Sequence, residues 1–338
     1  MATAIEIINT IRDNASDDFI ARVPQATITN LPELGNAIAN DKNIMNEFIE
    51  SLINKVAQTH IKSKMFKNPL AKLKSAGVPY GSTIEEIFIN PATDGGYQKD
   101  GALLLKTTTP DGKTAYYGQN RQSTYPISIN QPQLVKAFTS EQNFMSFYNG
   151  IISALYSGDN IDEFTLSKKM LALAVDNGGM KIVDSDIAQP KEMAKAMSNM
   201  SKYFQFANTE FCGYNLVNKT AITAGETACI TFCPIERQVL LIRADVETEI
   251  NYEFLANAFN IDLVTLKAMT IVVDDFPSAT YDIYAMLVDR EAIQIRDNVF
   301  RTEVFFNQSN LVTNVWLHHW EWLFLSMFGN AVAFAKAK

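Results

Sequence analysis

The sequence predicts an α+β protein, and three observations carry that expectation. Apolar residues recur at helical spacing through the first sixty residues and again over 140–158 and 161–177; between 78 and 131 the spacing stops and short β-rich runs alternate with turn residues. Uninterrupted apolar runs at 239–242 and 269–273 read as strands covered on both faces. With 338 residues, 47% of them hydrophobic and 20% charged, the composition is that of an ordinary globular chain of one or two interleaved domains.

Taken in order, TAIEIINTIRD (3–13) and NIMNEFIESLINKVAQT (43–59) predict helices; in the second, Ile44, Phe48, Leu52 and Val56 recur every fourth position. SDD at 16–18 and TNLPE at 29–33 supply start signals, with Pro32 early in its helix where a missing N–H costs least. From Val78 to Gln131 the runs STIEEIFIN, GALLLKTTT, KTAYYGQ and STYPISI form a long β-arm with little apolar content of its own, and Asp111-Gly112 is a tight-turn signal. Phe144, Phe147, Tyr148, Ile151, Ile152 and Leu155 then make one helical stripe. Ser157 to Asn160 predicts a break, Asn160 with Glu163 a capping signal for a second helix, and Gly178-Gly179 its end, giving a long, bent spine. Residues 181–299 mix a helix at PKEMAKAMSNMSKYF and another at NYEFLANAFN with strands near ACITF, QVLLIRADV, KAMTIVVDDF and YDIYAMLVD. The last stretch returns to strands, VFRTEVFFNQ and then a run through VWLHHWEWLF, whose aromatic face of Trp316, Trp320, Trp322 and Phe324 is expected to pack under the spine.

Charge and cysteine usage narrow the function. A net charge of −8 argues against a protein devoted to gripping nucleic acid, although the lysine-rich stretch 60–74 is a local basic run. The first twenty residues lack the basic flank and apolar core of a secretory signal, and the apolar run 311–328 is interrupted by His318, His319 and Glu321, so a cytosolic chain without a membrane span is expected. Cys229 and Cys233 lie roughly 13 Å apart if extended, beyond disulfide reach, and with Cys212 they read as buried structural thiols.

Chemical motifs are sparse. Glu85 and Glu86 are adjacent on a predicted strand, so they point to opposite faces and cannot converge on one bond. His318, His319 and Glu321 lack metal-site order, and packing or an inter-chain contact is the preferred reading. Asp274-Asp275 reads as a strand-end cap. The sequence has no GxGxxG, P-loop or GxSxG, and no catalytic residue, cofactor or metal is expected.

The order of parts, with VPYGSTIEEIFINP opening the β-arm, YAMLVDREAIQI before the closing strands and NVWLHHWEWLFLSMFGNAVAF at the end, resembles the major capsid proteins of small short-tailed bacteriophages of the Picovirinae type, which share the Hong Kong 97-like fold. The resemblance implies an N-terminal arm over 1–77, an extended E-loop over 78–131, a P-domain of 132–180 and 300–338 with the spine helix, and an A-domain over 181–299. It implies many copies of the chain as partners, a scaffolding protein and a portal besides, double-stranded DNA met without sequence preference on the inner face of an icosahedral or prolate shell, and synthesis in a bacterial cytoplasm before residence in the virion. Glu85, Glu86, Lys99, Lys106 and Lys113 would then be contact charges between subunits. Two alternatives stay open: a tail or portal-associated structural protein, and a cytosolic hydrolase using Asp274, Asp275, Asp282, Asp289 and Glu291.

Overall fold

Thr3 starts the first helix with a capping box: its hydroxyl accepts from the Glu6 amide, and the Glu6 carboxylate accepts from the Thr3 amide at 2.9 Å. Ser16 caps the next helix with its hydroxyl in the computed structural model, which describes residues 3–58, 66–78, 81, 83–94, 107–256, 269–310 and 312–338. In chain order the elements are α1 (Ala4–Asp13), α2 (Asp17–Arg22), α3 (Leu31–Asn40), α4 (Lys42–Gln58), β1 (Thr83–Ile89), β2 (Gly112–Gly118), β3 (Arg121–Asn130), α5 (Gln131–Ala137) and α6 (Glu141–Asp176). There follow β4 (Lys181–Asp184), α7 (Pro190–Tyr203), α8 (Gly213–Val217), α9 (Lys219–Thr223), β5 (Gln238–Arg243), α10 (Ala244–Ala256), β6 (Met269–Val273), β7 (Tyr281–Asp289), β8 (Ile293–Asn307), β9 (Val312–Leu325) and β10 (Ala331–Ala337).

The chain divides into two compact units. The first comprises residues 1–68, 121–163 and 297–321. Its core joins α1 to α4 with α5, the first part of α6 and β9: Ile8, Ile11, Phe19, Leu34, Ile38 and Phe48 pack with Phe138, Phe144, Tyr148, Leu155, Val315 and Leu317, all essentially buried. Gly35 is required at the α3–α5 crossing, because a β-carbon there would lie 2.4 Å from the Phe138 β-carbon. The sheet of this region runs in the order β3-β9-β8, with β3 antiparallel to β9 from Arg121 opposite Glu321 to Asn130 opposite Val312.

The second unit comprises residues 69–120, 164–296 and 322–338. A five-stranded mixed sheet of order β4-β10-β7-β5-β6 carries a core on each face. Leu241, Met286, Val288 and Ala333 face one core; Leu240, Leu287, Val332 and Phe334 face the other. The apolar run in β5 is accordingly buried on both sides. β6 is an edge strand that alternates, leaving Val272 exposed, so the second run is covered on one face only.

Five local expectations are corrected. No break interrupts α6 at 157–160: Asp159 and Asn160 direct their side chains to tertiary partners instead of capping a new helix, and the end comes at Gly178, whose φ of 72° is left-handed. Gly112 makes no tight turn; it sits inside β2 opposite Ile89, at a φ outside the left-handed region, while Asn90 and Asp111 extend the pairing. ACITFC is not a strand, since the amides of Cys229 and Ile230 donate to the side chains of Asn215 and Asn90. The helix after β5 begins at Ala244, where Asp245 in its first turn takes the guanidinium of Arg243. The aromatic face of β9 is also misassigned: Val315 and Leu317 face the α6 stripe, whereas Trp316 and Trp320 are half-buried on the opposite face. Trp316 stacks on Phe305 instead, Trp322 is fully buried, and Phe324 stacks on Tyr117.

Candidate functional site

β1 and β2 form an isolated two-stranded ribbon whose two faces have different chemistry. Alternation puts Glu86, Phe88, Lys113 and Tyr117 on the inner face and Glu85, Ile87, Ile89 and Tyr116 on the outer one. Glu86, Phe88, Lys113 and Tyr117 each have a partner in the second unit. Ser326 Oγ donates to the Glu86 carboxylate at 2.7 Å; Phe88 stacks on Phe328 at 5.4 Å and Tyr117 on Phe324 at 3.9 Å between centroids. The Tyr117 hydroxyl accepts from the Met327 amide at 3.0 Å, and burial pushes its pKa up to about 12. Lys113 pairs with Glu226 at 2.8 Å; its pKa is raised, chiefly by that hydrogen bond. Asn90 closes the end of the ribbon, donating to Asp111 and Ala228 O and accepting from the Ile230 amide.

The outer face is held by far less. Ile87 and Ile89 are each 62% exposed and Tyr116 is 66% exposed, a contiguous apolar strip beside the exposed Glu85. Within it, Tyr116 donates to Glu85 Oε1 at 2.9 Å. A sheet face of this kind, on a ribbon anchored by its other face, is suited to contact with another chain. The adjacent acids of the sequence thus lie on different surfaces, Glu85 outward and Glu86 inward, while Lys113 is engaged with Glu226. Lys99 and Lys106 lie outside the described residues.

The first unit contains a buried charge network that sequence reasoning did not assemble. Arg121, 3% exposed, pairs with Asp159 at 2.6 Å and with Glu321, and lies 3.9 Å from Glu163. His319 Nδ1 donates to Asp159 at 2.7 Å and Nε2 to Asp297 at 3.0 Å; Asn68 donates to Glu163 at 2.7 Å. Burial alone would lower the His319 pKa, but the bonds to Asp159, Asp297 and Glu321 raise it to about 10, so the ring is an imidazolium. Glu163, His319 and Glu321 offer ligand atoms within 4.8 Å of one another, a spacing a metal could use. That donor set does not fit one, because a guanidinium and an imidazolium already neutralise its carboxylates. His318 points the other way, with Nδ1 3.2 Å from the Thr124 hydroxyl. One pattern in the sequence could have revealed the network, the odd-numbered parity Val315, Leu317, His319, Glu321, which continues an apolar face into a charged one.

The acids of the hydrolase alternative do not converge. Asp274 and Asp275 both bind Lys168, Asp282 binds Arg243 at 2.6 Å, and Asp289 and Glu291 share Arg237 at 2.5 and 2.9 Å. The five acids are thus divided among three separate cations, and the two that share a surface cleft, Asp289 and Glu291, are both held by Arg237 instead of standing as a free acid and base. Among the described residues no helix is long and apolar enough to cross a membrane.

The chain is similar to known proteins over nearly its whole length. Residues 8–335 match the family model described as Phi29-like phage major capsid protein. The chain is 33% identical over 334 residues to the major capsid protein of Bacillus phage B103, covering 97% of this chain and 72% of that one, and 29% identical to that of Streptococcus phage Cp-1, covering 96% and 92%. Among solved structures, a chain from the capsid of Staphylococcus phage Andhra superimposes with a TM-score of 0.63 at 14% identity over 83% of this chain and 87% of that one. A chain from the capsid of cyanophage P-SCSP1u gives 0.52 at 8% identity, over 82% and 91%.

Proposed function

The chain belongs to the Phi29-like phage major capsid protein family, and from that membership we propose how its surfaces build the shell. It is a structural protein of the phage capsid, not an enzyme, with the α+β Hong Kong 97-like fold, and it acts in many copies. In the reading offered here residues 1–77 are the N-terminal arm, 78–131 the E-loop, 132–180 with 300–338 the P-domain and 181–299 the A-domain. The root of the E-loop is the ribbon β1–β2. Its outer strip of Ile87, Ile89 and Tyr116 with Glu85 meets a neighbouring subunit, and the observation that carries this is the contrast between an anchored inner face and an exposed apolar outer one. Lys99, Lys106 and Lys113 are further contact charges of the same loop, Lys113 only where a neighbour competes with Glu226. Glu86 contributes to the contact indirectly, by fixing the ribbon on Ser326.

Scaffolding protein and portal are the expected assembly partners, and packaged double-stranded DNA meets the inner face without sequence preference. A net charge of −8 suits a container that must release its cargo. Synthesis takes place in the bacterial cytoplasm. Weak pairwise contacts repeated around closed rings suffice for a shell, because each subunit engages several neighbours at once. Electron microscopy of particles made by Ile87→Ser and Glu85→Lys variants tests the contact: soluble, normally melting subunits that yield few shells are expected, and normal shells from both variants would remove this strip from the interface.

A further inference from the structure

Two cysteines that lie far apart in the sequence meet in the second unit. Cys212 and Cys229 are both 0% exposed and form one small buried cluster with Phe328, against which Phe88 and Ala115 of the ribbon and Tyr214 pack. Both side chains therefore lie in one buried pocket of side chains beneath the ribbon. A single side chain clamps the two backbones: Asn215 Nδ2 donates to the Cys229 carbonyl at 2.7 Å, Asn215 Oδ1 accepts from the Cys229 amide at 2.8 Å, and the Asn215 amide donates to the Cys212 carbonyl at 3.1 Å. The Cys212 thiol also donates to the Met327 carbonyl at 3.3 Å. Cys233 belongs to a different core and its thiol is directed at the Pro234 carbonyl.

We propose that Cys212 and Cys229 are a latent disulfide, open while the subunit is in a reducing cytosol and closed by a small peroxide oxidant once the particle is in an oxidising medium. Only the timing rests on the capsid reading; the pairing rests on the geometry above. The step balances with hydrogen peroxide. Cys212 sulfur attacks one peroxide oxygen and breaks the O–O bond, giving a sulfenic acid while the released hydroxide takes the thiol proton and leaves as water. Cys229 sulfur then displaces the sulfenic hydroxyl, which leaves with the Cys229 proton as a second water, so two thiols lose two electrons and one peroxide becomes two waters. The roles of the two sulfurs follow from their surroundings. The Cys212 thiol is lowered in pKa, first by its interaction with Cys229 and further by the amides of Asn215 and Tyr214, whereas Cys229 is raised by the same pairing and by burial.

The bond would fasten the segment carrying α8 and α9 beneath the ribbon, stiffening the platform on which the E-loop root rests. Closing that loop restricts the unfolded chain, so the oxidised form is expected to melt a few degrees higher than the reduced form.

The test treats the full-length chain, and shells where they form, with hydrogen peroxide or with a phosphine reductant, then unfolds and alkylates the thiols and maps the peptides by mass spectrometry. Expected are a linked peptide pair containing Cys212 and Cys229, lighter by two hydrogen atoms, an alkylated Cys233, and a melting rise absent from Cys229→Ser. Cys229→Ser should match the reduced wild type in melting and should still give shells, which separates failure of the pairing from failure of the capsid reading. The proposal is overturned if both cysteines remain fully alkylatable after peroxide, if they accumulate separate sulfinic acids, or if the linked partner is Cys233 or another subunit.

Discussion

At the scale of single residues, Glu85 and Glu86 show how neighbouring identical side chains acquire different roles. Glu86 accepts a hydrogen bond from Ser326 on the packed face, so Glu86→Lys strands that hydroxyl and drives a cation against it; a loss of about 1–3 kcal/mol in chemical unfolding is expected. Glu85 faces solvent, and Glu85→Lys is expected to leave the melt within about 0.5 kcal/mol of wild type while shells fail, with partial recovery in raised salt as repulsion is screened. His319 carries the pH dependence. Its pKa is about 10 in the folded chain against an ordinary 6.5, so the stability contributed by the imidazolium is fully present below about pH 6.5 and is lost as pH rises towards 10. Between pH 7 and 10 wild type should lose stability more steeply than His319→Gln, and equal slopes in denaturant titrations would refute the protonated network. Legibility in the sequence was uneven at this scale. Adjacent strand residues had to diverge, which was readable, but that Arg121 meets Asp159 and Glu321 depends on long-range register that local spacing does not encode.

At the scale of elements, α6 and β9 carry the main lessons. Gly158 sits inside an unbroken helix and a β-carbon there would meet the Tyr125 ring at an ordinary 3.6 Å, so Gly158→Ala should stabilise by about 0.5–1 kcal/mol; a loss of stability would mean that a bend is needed after all. Along β9 from Thr313 to Glu321 the buried side chains are the odd-numbered ones. Leu317→Ala should cost about 2–5 kcal/mol, whereas Trp320→Ala, from the half-buried face, should cost clearly less in the unassembled subunit, and the reverse order would restore the aromatic face to the core. The aromatic face is expected inside on the guide that two long apolar faces in one domain need each other. Here that guide is overridden by a charge network that satisfies itself and occupies the inner face.

At the scale of the whole molecule, the chain is organised around surfaces it does not cover by itself. The ribbon turns one face to its own unit and leaves the other bare, and Phe300 and Phe305 of β8 are likewise about half exposed. Such patches are tolerable in a subunit whose working state is one of many copies. Legible in the amino-acid sequence were the α+β class, most of the helix starts, the β-arm between two helical regions, the absence of familiar catalytic motifs and the resemblance to phage capsid proteins. These are properties of local capping, side-chain periodicity and motif order, which act over a few residues. That the spine is one helix, which residues of β9 are buried, that Cys212 and Cys229 share one buried cluster, and that Arg121 and His319 are held among carboxylates came from tertiary packing alone. Each of those depends on partners distant in the chain, 17 positions apart for Cys212 and Cys229 and 200 for Arg121 and Glu321, brought together by packing that no local pattern specifies.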